Sequence, residues 1–251
     1  MAEASPQRVS PELSAGNLDS QVLGLLSDNP QALRRLVEEL GGGFRKAFCD
    51  LVAGVAEFMS PSRAHEFTSR DIRDLVLTLC HTLGIDVVDM GATSITAPDG
   101  SHGDPDESFL IGARATAYRA LEAQHGADAA MGSLDGKPPD LAVEVEHTSY
   151  QPHKPGLYRR CGVPELWDLG TAEAARGPVI YDLQADDGPR ALPASRPLPG
   201  VRADQLPAAA STLRDLGGPL AIAARGEAAG KRVLEVACGR SSAPPVGPPS
   251  P

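Results

Sequence analysis

The chain has 251 residues, enough for one large domain or two small ones with a sizeable buried core. Its net charge of -10 and its four lysines, Lys46, Lys137, Lys154 and Lys231, argue against a protein that grips nucleic acid through a broad basic face. No apolar run approaches the about 18 residues that cross a bilayer, and the first twenty lack the apolar stretch of a signal peptide, so a cytoplasmic protein without a membrane partner is expected. Cys49, Cys80, Cys161 and Cys238 form no CxxC pair and read as core thiols rather than zinc ligands or disulfides.

Residues 1–20 are polar, with Pro6 and Pro11 and no periodicity, and residues 1–28 read as a disordered extension. The first helix is predicted from Asn29 to Leu40, because Leu33, Leu36, Val37 and Leu40 repeat at helical spacing and Gly41 stops it. The Gly41–Gly43 run lacks the ending of a phosphate loop and reads as a helix cap. Phe44–Asp50 and Val55–Met59 form a predicted hairpin. Ser60 and Pro61 open the strongest helix, with a stripe of Ile72, Leu75, Val76, Leu79 and Leu83, and Gly84 ends it.

Strands are expected at Ile85–Met90, Thr93–Ala97 and Ser108–Gly112, followed by an alanine-rich helical stretch over 113–130. After Pro138 and Pro139 come the run Asp140–Thr148, a helix from Pro155 to Cys161, strands at Glu165–Leu169 and Val179–Gln184, and a helix over Ala203–Leu216. This alternation is an α/β pattern with a mixed sheet. One domain over 29–216 is expected, then an extension over 217–251 whose tail, crowded with Pro244, Pro245, Pro248, Pro249 and Pro251, reads as disordered.

Asp140–Thr148 carries the chemistry. A strand alternates faces, so Leu141, Val143 and Val145 share one side and Asp140, Ala142, Glu144 and Glu146 the other. Glu144 and Glu146 then project together, with Cα atoms roughly 6–7 Å apart. Two such charges on a half-buried strand need a counter-charge, and a hard divalent cation such as Mg²⁺ takes oxygen ligands of this kind. A charged, solvent-facing strand fits the same pattern. Lys154 lies on a stripe with Leu157, Tyr158 and Cys161, and Pro155 suits the first helical position, which places Lys154 at the N-cap facing the sheet. An inward lysine needs a partner, and the strand carboxylates supply one; a lysine that snorkels to water is the alternative. The acidic turn Asp104–Glu107, leading into an apolar strand, offers a further carboxylate and is also ordinary turn chemistry.

These residues resemble a known family. Pro105-Asp106-Glu107-x-Phe109, the segment from Pro138 through Glu146 to Thr148-Ser149, Lys154-x3-Tyr158 and Gly162-Val163-Pro164-Glu165-Leu166-Trp167 appear in the order seen in the Uma-type family of restriction endonucleases. Upstream, the segment from Glu57 to Glu66 and Gly91-x-Thr93 are similar to that family as well, so the likeness covers about residues 33–215. The resemblance implies an α/β fold of the PD-(D/E)xK type, a restriction-endonuclease-like mixed β-sheet core flanked by helices. It implies a Mg²⁺-dependent DNA endonuclease, with Mn²⁺ as a substitute, DNA as substrate and room for a homodimer. Asp106 and Glu144 become metal ligands, Glu146 stands where the nuclease signature has its lysine and joins them, and Lys154 supplies the amine from the following helix. Glu66 is a fifth candidate, and Asp140 is placed to fix the start of the strand.

Two other readings stay open: a catalytically silent copy of the nuclease fold acting as a binding or assembly module, and a hydrolase of a smaller phosphate ester. A DNA-cutting site calls for flanking arginines, for which Arg114, Arg159 and Arg160 are candidates. His147 falls on the apolar face and reads as a core residue, His153 as a helix cap, and His65 as structural or active-site. The stretch from Arg232 to Gly239 resembles the first motif of S-adenosylmethionine-dependent methyltransferases, but no further strands follow to hold that cofactor.

Overall fold

The structure, a computed structural model, describes residues 10–13, 21–40, 46–60, 62–134, 136–146, 151–170 and 177–240. The Gly41–Gly43 run, His147 and the Pro-rich tail lie outside those residues. The described chain opens with β1 (Ser10–Leu13) and β2 (Gln21–Leu26), which pair antiparallel. Helix α1 (Pro30–Leu40) follows, capped by the Asn29 side chain, which accepts from the N–H groups of Gln31 and Ala32 at 3.0 and 3.2 Å. The predicted hairpin forms as β3 (Lys46–Asp50) and β4 (Val55–Ser60), and β2 adds to the free side of β4. The extension expected to be disordered over 1–28 therefore includes two strands. Their pairing with β4 defines them, and no local periodicity announces such a contact.

Helix α2 (Arg63–Leu83) buries the predicted stripe of Ile72, Leu75, Val76 and Leu79. The Ser62 hydroxyl caps its start by accepting from the His65 N–H, and Gly84, at φ 67°, takes the left-handed turn that ends it. Short strands β5 (Val87–Asp89), β6 (Ile95–Thr96) and β7 (His102–Gly103) lead to β8 (Glu107–Ile111). The alanine-rich stretch is two helices, α3 (Ala113–His125) and α4 (Ala127–Gly132), separated by Gly126. Then come β9 (Leu141–Glu146), α5 (Lys154–Arg160), β10 (Glu165–Gly170), β11 (Val179–Asp182) and β12 (Arg190–Leu192). A 3₁₀ turn, Ala203–Gln205, precedes α6 (Leu206–Asp215), α7 (Gly218–Arg225) and α8 (Glu227–Ala237).

These strands make two six-stranded sheets. One has the order β1-β2-β4-β3-β7-β6; the other, β12-β11-β10-β9-β8-β5, is mixed, with β9 and β10 parallel and joined through α5. Alternation along β9 divides the core. Leu141, Val143 and Val145 pack with Trp167 against α2, α6 and α8, whereas Ala142 faces Leu157 and Tyr158 of α5 and Phe48 of the other sheet. Helix α5 thus lies between the two sheets. Gly103 permits this closeness, since a Cβ there would stand 3.1–3.3 Å from Leu157, the Tyr158 hydroxyl and Phe48.

The segment after residue 216 is no appendage. Ile222 of α7 and Val233, Val236 and Ala237 of α8 belong to the main core. The methyltransferase-like stretch is helical and packs on α2 and α6, which removes the strand-then-loop geometry that such a motif requires. Cys49, Cys80 and Cys161 are buried, as expected of core thiols, and burial pushes them up to about 11, 12 and 12. Among the described residues no helix is long and apolar enough to cross a membrane.

Candidate active site

The polar face of β9 and the first turn of α5 meet between the sheets. Glu144 and Lys154 are 2% and 5% exposed, and the Lys154 Nζ lies 2.8 Å from Glu144 Oε2 and 4.0 Å from Glu146 Oε1. Tyr158, one helical turn beyond Lys154, donates its hydroxyl to Glu144 Oε1 at 2.5 Å, so both oxygens of Glu144 are held from one face of α5. Glu146 Oε1 accepts from the Gln151 N–H at 3.0 Å, which ties the strand to the segment leading into the helix. His153 occupies the N-cap position and Lys154 is the first helical residue, so the helix starts one residue earlier than predicted. The His153 side chain does not cap the helix; its ring lies 5.0 Å from that of Phe48.

Asp106 approaches from the neighbouring strand. Its N–H donates to the Val143 carbonyl at 2.9 Å, and its Oδ2 accepts from the Val145 N–H at 2.6 Å, with His65 Nε2 at 3.3 Å. Because Glu107 pairs with Val143 across β8 and β9, continuing the antiparallel register sets Asp106 opposite Glu144. Glu107 points to the other face, where the Ser69 hydroxyl donates to it at 2.7 Å. Glu66 is exposed on the first turn of α2, while His65 beside it reaches Asp106. Asp140 fixes the start of β9, accepting from the Ile111 N–H at 2.8 Å and pairing with Arg114 at 2.9 Å.

Two further carboxylates belong to this region, and the sequence reading assigned them no role. Asp168 of β10 pairs in parallel register with Glu144 and is buried. Glu57 of β4 is buried in the opposite sheet, within electrostatic reach of Lys154 and Glu144. Asp168 was discoverable from the alternation Leu166, Asp168, Gly170 once β10 was set beside β9. Glu57 belongs to the Glu57–Glu66 segment that resembles the family, but it lies in a hairpin that reads as ordinary.

The electrostatics follow from crowding. Burial is the largest influence on Glu146 and Asp168 the next; with Lys154 opposing them, its carboxyl is pushed up to about 7. Burial also raises Glu144, with Lys154 pulling the other way. Burial disfavours the Lys154 ammonium, yet Glu144, Asp106 and Glu146 together outweigh it and raise this amine, so it stays charged. Burial, Glu144 and the hydrogen bond to it hold the Tyr158 hydroxyl well above its usual range.

No group of three or more His, Cys, Asp or Glu side chains is arranged to hold a metal ion among the described residues. The donor chemistry nevertheless suits a hard cation: carboxylate oxygens predominate, and their charge exceeds what Lys154 balances. The arginines expected at the rim are committed elsewhere. Arg160 pairs with Asp50 and Asp99, Arg114 with Asp140, and Arg159 bonds the Asp186 carbonyl at 3.3 Å.

Residues 44–177 match the sequence model of the Uma2 family, described as "Putative restriction endonuclease", and the chain belongs to that family. Its mixed sheet flanked by helices is the restriction-endonuclease-like α/β fold. No curated protein matches the chain.

Proposed function

We propose that this chain is a Mg²⁺-dependent DNA endonuclease that hydrolyses phosphodiester bonds, with Mn²⁺ able to replace Mg²⁺. The observation that carries the reading is the buried Lys154 ammonium held 2.8 Å from Glu144, with Glu146 and Asp106 alongside. A buried lysine among carboxylates is costly to maintain and is retained where its charge is used. Family membership supports DNA as the substrate.

Asp106, Glu144 and Glu146 are the residues that would hold the cation. When bound, it supplies Lewis-acid neutralisation of the scissile phosphate. Lys154 places a fixed positive charge where negative charge grows on the phosphate in the transition state. Tyr158 fixes Glu144 and His65 fixes Asp106, so neither carboxylate has to reorganise as the substrate reacts. The net charge of -10 makes a bound cation useful for substrate approach as well, since the protein surface alone repels a polyanion.

The test is incubation of the purified protein with supercoiled plasmid and Mg²⁺ or Mn²⁺, beside a Glu144→Ala control. Metal-dependent nicking that the substitution abolishes is the expected result. No cleavage with either metal, or cleavage indifferent to the substitution, contradicts the assignment.

A further inference from the structure

Glu57 has no part in the chemistry above. Along β4, Ala56 and Phe58 pack under α1, so Glu57 takes the opposite face. Its cross-strand partner is Phe48, which packs against Leu157 and Tyr158 of α5 and lies 5.0 Å from the His153 ring. Glu57 therefore stands on the side of the N-terminal sheet that faces the helix bearing Lys154. It is 5% exposed, and its Oε2 has no hydrogen-bond partner among the described residues. Buried acceptors are nearly always paired, and one that is not needs a reason. Its carboxyl also feels the site: burial, the largest influence, and Glu144 push it up to about 6, while Lys154 opposes them.

Lys154 has donors to spare. Its ammonium carries three N–H bonds and makes a hydrogen bond to Glu144 at 2.8 Å, while the 4.0 Å separation from Glu146 is too long for another. An unpaired acceptor on one sheet thus lies within electrostatic reach of an ammonium on α5 with unused donors. A group that both donates and accepts satisfies the two at once. Water does so without charge, whereas a phosphate oxygen brought to Glu57 would be repelled.

We propose that Glu57 positions the hydrolytic water, which donates to Glu57 Oε2 and accepts from Lys154 Nζ. The proposal rests on the endonuclease reading of the Lys154 site and adds to it a residue from the opposite sheet. The N-terminal sheet thereby becomes part of the reaction centre, and the nucleophile is held between the two sheets.

Two measurements test this. The first is a crystal structure of the wild-type protein at a resolution that shows ordered water, where a water within hydrogen-bond distance of both Glu57 and Lys154 is expected. The second is single-turnover plasmid nicking in Mg²⁺ by wild type, Glu57→Gln and Glu57→Ala, with DNA affinity measured in Ca²⁺ and melting curves for each. Glu57→Ala should lose about a hundredfold in rate with DNA affinity unchanged. Glu57→Gln should lose less, because its amide carbonyl still accepts. Wild-type rates in both variants, a loss confined to DNA affinity, or a Glu57 carboxylate bonded only to protein would overturn the proposal. If wild-type protein cleaves no DNA, the endonuclease reading falls and this proposal with it, whereas metal-dependent cleavage that the Glu57 substitutions leave at the wild-type rate overturns this proposal alone.

Discussion

Lys154 and Glu144 lie ten residues apart on different elements, yet their charged atoms meet at 2.8 Å with both side chains almost wholly buried. Such a pair adds little net stability, because desolvating two charges offsets most of their attraction, but losing one partner strands the other. Glu144→Leu alone should therefore cost about 3 kcal/mol in urea unfolding, and Glu144→Leu combined with Lys154→Met should recover most of that loss. A double variant as unstable as the single one would show that packing, not the stranded charge, sets the cost.

Cation binding should appear as stabilisation. A ligand that binds only the folded state adds about 2.7 kcal/mol at a hundredfold excess over its Kd. Melting curves should move upward with millimolar Mg²⁺ in the wild type and stay in place in the Glu144→Ala, Glu146→Ala double variant. An equal shift in both would locate the ion elsewhere.

The raised carboxyls give stability a pH dependence of definite sign. Glu146 moves from 4.5 to about 7 and Glu57 from 4.5 to about 6 on folding. Between those values the folded state holds protons that the unfolded chain has released, so the unfolding free energy declines as pH rises. Their contribution is complete below about pH 4.5 and gone above about pH 7. Glu146→Gln should flatten this decline in urea midpoints measured across that window. The same decline in the variant would place its source in other groups.

The C-terminal helix is integral to the fold. Val233 and Val236 of α8 are buried against α2 and α6, so deleting residues 227–240 exposes the apolar faces of both helices. The shortened protein should lose its cooperative melting transition. A sharp melt at the wild-type temperature would restore the expected boundary at residue 216.

Much of this was readable from local pattern. Period-two alternation put Glu144 and Glu146 on one face of β9, and helical spacing put Lys154 and Tyr158 on one face of α5, because both patterns are set by backbone geometry alone. What could not be read depends on contacts between distant segments. Glu57 looks like any charged residue in a short hairpin until the second sheet closes over α5. Asp168 stands beside Glu144 only through the register of a parallel pair joined by a crossover. The two- and three-residue strands β7 and β12 are too short to show periodicity. In α8, the run from Val233 to Ala237 has the composition of a buried strand, and its helical form follows from packing on α2.

The most direct test of the whole account is the single-turnover nicking rate of Lys154→Ala, paired with DNA binding in Ca²⁺. If the Lys154 ammonium stabilises charge that develops only in the transition state, the rate should fall about a hundred- to a thousandfold with affinity almost unchanged. Lys154→Arg should be impaired less, since it keeps the charge but substitutes a planar fork for a compact ammonium. Cleavage by Lys154→Ala at the wild-type rate would contradict the account.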